Sequence, residues 1–132
     1  MRVYLVRHAE AAPGEPDELR ELTPAGQETA RALGTQLAAN GVRPAALLTS
    51  PLLRARQTAG ELARSLGVEA EPDERLAPGA TPKGLREAVA GRGETVIAVA
   101  HQPDCGLIVA ALTGGEPPRF PPGGVVAVEV PG

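Results

Sequence analysis

Two histidines and a handful of arginines are the residues of this chain best equipped for chemistry, and their neighbours decide how they are read. His8 follows Arg7 at the end of an apolar run, Val3 to Val6, and stands just ahead of Glu10. His101 closes a second apolar run, Thr95 to Ala100, and Arg54 lies near the start of an apolar-striped segment between the two. An arginine presents a planar fork that matches two oxygens of a phosphate. A neutral imidazole presents a ring nitrogen that can attack phosphorus. Its ordinary pKa is about 6.5, and nearby guanidinium groups disfavour the protonated ring. Arg7 and Arg54 would therefore hold a phosphoryl group and keep His8 nucleophilic together, with His101 donating to a phosphoryl oxygen as charge develops. Taken alone, Arg7-His8 fits a solvated strand end with a stray imidazole equally well. The chemistry depends on whether the fold brings the four residues to one place.

The elements that would do so can be read from the pattern of apolar residues. Val3–Val6 and Thr95–Ala100 lack the alternation of half-exposed strands and fit strands buried on both faces. Ala45–Thr49, Val68–Glu71 and Val125–Val130 are expected as the other strands. Thr23-Pro24 opens a helix, with Thr23 as N-cap and Pro24 at the first helical position. Ala30, Leu33 and Leu37 form its buried stripe, and Asn40-Gly41 ends it. Ser50-Pro51 repeats the cap before a helix whose stripe is Leu52, Ala55, Ala59, Leu62 and Leu66, stopped by Gly67. Thr81-Pro82 opens a short third helix through Leu85 and Val89 to Gly91. Pro103 starts a fourth whose body, Cys105 to Leu112, is apolar almost all round and so expected to be well buried. Ala11–Leu22, Pro72–Ala80 and Gly114–Gly124 are rich in proline and glycine and read as loops.

Strands alternating with helices predict an α/β layered domain with a mostly parallel sheet. No linker divides the chain, so residues 1–132 are expected to form one domain. In such a sheet the strand ends and helix starts gather at the carboxyl edge, where ligands bind. That edge would collect Arg7, His8, Arg54 and His101.

Composition narrows the function further. The net charge is only −3 and the twelve arginines and one lysine, Lys83, are dispersed, which leaves no nucleic-acid footprint. With Tyr4 and Phe120 as the sole aromatics there is no base-stacking platform either. No apolar run reaches the roughly 18 residues of a membrane span. The first residues lack the pattern of a secretory signal, so a cytoplasmic protein is expected. A single cysteine, Cys105, agrees with a reducing compartment, and two histidines with one cysteine fall short of the usual zinc sets. Chemistry without metal or other cofactor is expected. Arg56 reads as a solvated side chain, Cys105 as a small core residue, Ser50 as a helix cap, and Arg119 with Phe120 as a loop anchor bordering the cleft.

Four segments carry a family resemblance: Leu5-Val-Arg-His-Ala-Glu10, Leu22-Thr-Pro-Ala-Gly26, Ser50-Pro-Leu-Leu-Arg-Ala-Arg-Gln-Thr58 and Val99-Ala-His-Gln-Pro103. In order and spacing they resemble the motifs of the histidine phosphatase (phosphoglycerate-mutase-like) superfamily. The short chain and Gly115-Glu-Pro-Pro-Arg-Phe120 look most like its SixA-type phosphohistidine phosphatase branch. The resemblance implies a three-layer αβα sandwich with sheet order 3-2-4-1-5 and an antiparallel last strand. It implies transient phosphorylation of His8, phosphate binding by Arg7 and Arg54, and His101 as the second pocket histidine. Two departures stand out. Position 9 is Ala9 where the family more often has glycine, and the glutamate that serves many relatives as general acid is matched only loosely by Glu74, with Asp104 and Glu10 as rivals.

The weak acid signal bears on the substrate. An alkoxide leaving group gains much from a proton in the transition state, whereas imidazole, with a reference pKa near 6.5, needs little help. The connection Pro72 to Glu94 has no room for a large lid, so an open cleft suited to a protein surface is expected. The expected activity is a metal-independent phosphatase acting through phospho-His8 on a phosphohistidine protein, such as a histidine-phosphotransfer domain, with the enzyme monomeric. The alternatives are a phosphomonoesterase for a small sugar or nucleotide-derived phosphate with Glu74 as acid, and a non-catalytic phosphoprotein-binding module.

Overall fold

The computed structural model describes residues 1–131. Its strands are β1 (Arg2–Arg7), β2 (Ala46–Thr49), β3 (Ala70–Pro72), β4 (Thr95–Ala100) and β5 (Val125–Glu129). They form one sheet in the order β3-β2-β4-β1-β5, parallel except where β5 runs antiparallel to β1. Order and direction agree with what the resemblance implied. The helices are α1 (Pro24–Ala39), α2 (Leu53–Leu66), α3 (Pro82–Val89) and α4 (Asp104–Thr113).

Alternation along the central strands divides the core in two. Val3 and Leu5 of β1, with Val96 and Ala98 of β4, pack against Leu85 and Val89 of α3 and Cys105 and Ile108 of α4. Val6, Ile97 and Val99 point to the opposite face and meet Leu33 and Leu37 of α1 and Ala55, Ala59 and Leu62 of α2. Both faces of β1 and β4 are therefore buried, which explains their unbroken apolar sequences. Each fully buried Val, Leu or Ile contributes roughly 1.5–3 kcal/mol, and these residues make the sheet a rigid support for its carboxyl edge.

Helix starts divide into two kinds. Thr23 and Thr81 cap α1 and α3 as expected, their hydroxyls accepting from the N–H groups of Gly26 and Gly84, with Pro24 and Pro82 following. Ser50 does not cap α2. That helix begins at Leu53 with Leu52 at its N-cap, and the Ser50 hydroxyl, engaged elsewhere, accepts from the Leu52 N–H at 3.2 Å, short of the helix. Pro103 likewise stands before α4 instead of opening it; the Gln102 side chain accepts from the Gly106 N–H (2.8 Å) and supplies the cap.

Three other expectations are corrected. The third strand is Ala70–Pro72, not Val68–Glu71, because left-handed Gly67 (φ 69°) turns the chain so that the Val68 N–H still donates to the Ala63 carbonyl and closes α2. Helix α4 is not buried all round: Leu107 is 54% exposed, because the face that meets the core carries Cys105, Ile108 and Val109, with Leu112 packed against it. The loops hold short 3₁₀ turns at Asp17–Leu19 and Glu74–Leu76, and Ala11 pairs with Leu22 in an isolated bridge.

One close approach fixes α1 against the end of β1. The Thr23 N–H donates to the Glu10 carbonyl (3.0 Å), and a Cβ added at Gly26 would lie 2.1 Å from that same oxygen. Only glycine fits there. Gly26→Ala is expected to destabilise the fold by about 1–3 kcal/mol, read as a lower urea midpoint at unchanged slope; an unchanged midpoint would show that the contact is not tight.

Candidate active site

The register of β1 against β4 builds the centre of the site. Arg7 pairs with Ala100, so the next residues of the two strands, His8 and His101, emerge side by side. The His8 N–H donates to the Ala100 carbonyl (3.1 Å), and the two imidazole centroids lie 5.0 Å apart at an interplanar angle of 61°. On the other side of β4, Thr49 pairs with Val99 and the Ser50 N–H donates to the Val99 carbonyl. Ser50, His101 and His8 thus form a row across the ends of β2, β4 and β1, with Ser50 Oγ 2.7 Å from His101 Nε2.

The protonation of both rings follows from their surroundings. Nδ1 of His8 lies 2.8 Å from the Ala9 carbonyl, which can only accept, so Nδ1 carries the hydrogen and Nε2 keeps a free lone pair. Burial pushes the His8 pKa below its ordinary value, the positive charges of Arg54, Arg7 and Arg20 push it the same way, and the Ala9 contact works against them. His101 is lowered to about 4, first by burial and then by the charge His8 would carry if protonated and by that of Arg54. Both imidazoles are therefore neutral at pH 7. The Ala9 N–H donates to Thr58 Oγ1 (3.0 Å), and that hydroxyl donates to the Arg54 carbonyl (2.9 Å), which fastens the end of β1 to the first turns of α2. Ala9 itself is fully buried, so the methyl group that replaces the family's usual hydrogen is accommodated.

Two guanidinium groups flank the histidines. Continuing the alternation of β1 sends Arg7 toward the α3–α4 face, where its Nη1 donates to the Phe120 carbonyl (2.9 Å) and its buried Nε has no hydrogen-bond partner among the described residues. Arg54, only 7% exposed, donates from Nη1 to the Asp17 carbonyl (2.9 Å) and from Nη2 to Asp17 Oδ2 (3.2 Å). Asp17 also accepts from Arg20 Nη1 (3.1 Å), and this hydrogen bond is the main cause of its carboxyl pKa lying below the usual range. Arg20 Nε donates to the Ala12 carbonyl (2.9 Å).

The four leading candidates, Arg7, His8, Arg54 and His101, are brought together. The acids are not. Asp104 is committed to loop structure, its Oδ2 accepting from the N–H groups of Gly79 (2.8 Å) and Ala80 (3.2 Å). Glu10 accepts from the Thr23 hydroxyl (2.7 Å) at the start of α1. Glu74 sits exposed in the 3₁₀ turn after β3, which the Asp73 N–H ties to the Thr49 carbonyl at the sheet's carboxyl edge. Arg56 is exposed and Cys105 buried, as expected, with burial pushing the thiol pKa up to about 12. Phe120 anchors its loop in the core and, with Gln102, Arg119 and Pro121, lines a cavity of about 480 Å³. Among the described residues no cluster of three or more His, Cys, Asp or Glu side chains could hold a metal ion.

Sequence reasoning missed Asp17, Arg20 and the contact of Ser50 with His101. The first two lie in a stretch dominated by proline, glycine and acids, and their one signal is the opposite charge three residues apart. Ser50 was hidden by Pro51, which imitates a cap.

An αβα sheet that presents two neutral histidines between two arginines at its carboxyl edge belongs to the class of phosphate-handling α/β domains. Residues 3–78 match the model of the histidine phosphatase superfamily (branch 1). The chain is 31% identical to the phosphohistidine phosphatase SixA of Escherichia coli K12, over 97% of this chain and 84% of that protein. It is 36% identical to an uncharacterised protein of Picosynechococcus, over 88% and 75% respectively. A solved structure of the protein histidine phosphatase SixA with tungstate superposes with a TM-score of 0.90 at 30% identity, covering 98% of this chain and 88% of that one. This chain belongs to the histidine phosphatase superfamily.

The depressed histidine pKa values make a pH prediction. Below about pH 6.5 unfolded histidines bind protons that the folded rings refuse. Stability is therefore full above that pH and falls as pH drops toward the folded value for His101 of about 4. His101→Gln is expected to flatten the dependence of the urea midpoint on pH between those limits. Nitrogen-detected NMR should show His8 as the Nδ1–H tautomer at pH 7; a ring protonated at both nitrogens would refute the assignment.

Proposed function

We propose that this protein is a phosphohistidine phosphatase acting on a phosphorylated protein, as a single domain, through a phosphoenzyme on His8. The observation that carries the reading is the contact of His8 Nδ1 with the Ala9 carbonyl: it holds the Nδ1–H and leaves the Nε2 lone pair free, in the field of Arg54 and Arg7. The similarity to the E. coli phosphohistidine phosphatase over most of both chains supports the same substrate class.

In the proposed reaction, Arg7 and Arg54 bind the phosphoryl oxygens, and the unpartnered Nε of Arg7 gains an acceptor. Nε2 of His8 attacks phosphorus, a nitrogen–phosphorus bond forms, and the bond to the departing imidazole breaks. The substrate ring carries a proton on its other nitrogen beforehand, so the imidazole leaves neutral and keeps that proton. Water then attacks phospho-His8, releases phosphate and regenerates the ring. In this reading the Ser50 hydroxyl, 2.7 Å from His101 Nε2, donates to that nitrogen, so that the Nδ1–H of His101 is the one assigned to stabilise charge on the transferring group. Each step is positioning and electrostatics from the chain's own residues.

Rapid-quench labelling with a phosphohistidine protein is expected to place acid-labile phosphate on His8. His8→Ala should lower kcat by at least about 10³-fold; undiminished turnover in that variant would remove His8 as nucleophile. Glu74→Gln should leave phosphohistidine hydrolysis within about twofold, because the leaving imidazole needs little protonation. A wild type that prefers small phosphomonoesters, and loses roughly 10²-fold on them in Glu74→Gln, would instead favour the small-molecule reading. Binding of the phosphoprotein without turnover would favour a recognition module.

A further inference from the structure

The proposed mechanism leaves one charged group beside the phosphate clamp without a role, the carboxylate of Asp17. It comes from the 3₁₀ turn in the loop between β1 and α1 and touches two arginines at once. Among the described residues it is the sole side chain hydrogen-bonded to the Arg54 guanidinium, which is 7% exposed, whereas the Asp17 side chain is 61% exposed. A buried guanidinium needs a compensating anion, and a carboxylate and a phosphoryl group are alternative partners for the same fork.

The two contacts from Asp17 to Arg54 differ in kind. The carbonyl, at 2.9 Å, belongs to a backbone turn that also receives the Arg20 N–H and cannot leave without unwinding it. The carboxylate, at 3.2 Å, hangs on one exposed side chain and has Arg20 as a second partner to rotate onto. We infer that Asp17 is a positioning residue whose carbonyl aims Arg54 and whose carboxylate is an internal competitor, displaced onto Arg20 when a phosphoryl group enters and returning to Arg54 as phosphate departs. The inference rests on the reading of Arg54 as a phosphate ligand. Its consequence is a ceiling on product affinity, since inorganic phosphate must displace a carboxylate to bind.

Competition and plain structural support predict opposite signs. Asp17→Asn keeps the carbonyl and a side-chain oxygen but removes the charge. If the carboxylate competes, the inhibition constant of inorganic phosphate, measured against hydrolysis of phosphoramidate, should fall by about two- to fivefold, the range for an exposed charge interaction. Arg20→Gln should raise that constant more in the wild-type background than in the Asp17→Asn background, because the displaced carboxylate has lost its second partner. An unchanged or higher constant in Asp17→Asn overturns the inference. Should that variant be poorly folded, carboxyl-detected NMR of the wild type decides the question instead: saturating phosphate must shift the Asp17 resonance, and a static signal refutes displacement. A wild type that neither binds phosphate nor hydrolyses any donor would remove the phosphatase reading and this inference with it. Hydrolysis by wild type with no tightening in Asp17→Asn would remove this inference alone.

Discussion

The parallel pairing of β1 with β4 is the constraint on which the carboxyl edge depends. Because Arg7 is registered with Ala100, His8 and His101 are delivered as neighbours by backbone hydrogen bonds alone, before any side chain contributes. A slip of one residue would send each side chain of the displaced strand to the opposite face and part the two rings. The register is held by what lies beneath it: Val3 and Leu5 serve one core, Val6 the other, and a slip would exchange them. The same burial that makes the sheet stable therefore sets the spacing of the imidazoles.

Electrostatics at that edge is a consequence of this packing. A half-buried and a buried imidazole beside two guanidinium groups resist protonation together, and burial, the largest influence on each ring, works in the same direction as the cations. The cations in turn need compensation. Arg54 finds it in Asp17, while among the described residues Arg7 has a carbonyl at one nitrogen and nothing at another. In the proposed reading an anion would engage both arginines, and the buried, unpaired Nε of Arg7 supports a place for it there. Thr58 couples the two halves, since its hydroxyl links the Ala9 amide to the Arg54 carbonyl.

Much of this was legible in the sequence because it is carried by strong local signals. Unbroken apolar runs mark β1 and β4, and the polar residues that end them mark the edge. Helix α2 announces itself by its stripe, and Arg54 by its place near the start of it. What stayed hidden depended on contacts between distant segments. Ser50 has the sequence of a cap, yet its hydroxyl is claimed by His101, fifty-one residues away. Asp17 and Arg20 lie where periodicity is absent, and only the path of the loop over α2 brings them to Arg54. Sheet order was legible solely through the family resemblance, because alternating strands and helices leave several right-handed orders open.

The fate of the acidic residues joins fold to chemistry. Glu10 and Asp104 both border the edge in sequence, and both are consumed structurally, Glu10 by the Thr23 hydroxyl at the start of α1 and Asp104 by backbone N–H groups in the loop before α3. Glu74 remains exposed on a short turn, with no partner among the described residues to orient it. A general acid contributes about 10²–10⁴-fold when it is positioned, and positioning is what this carboxylate lacks. A phosphoryl group leaving an alkoxide would forgo most of that contribution here. One leaving an imidazole forgoes little, because the departing ring is already a weak base. In the proposed reaction the residues that the fold has fixed most firmly, two arginines and two neutral histidines, would serve the phosphoryl group itself, with no positioned acid for the leaving group.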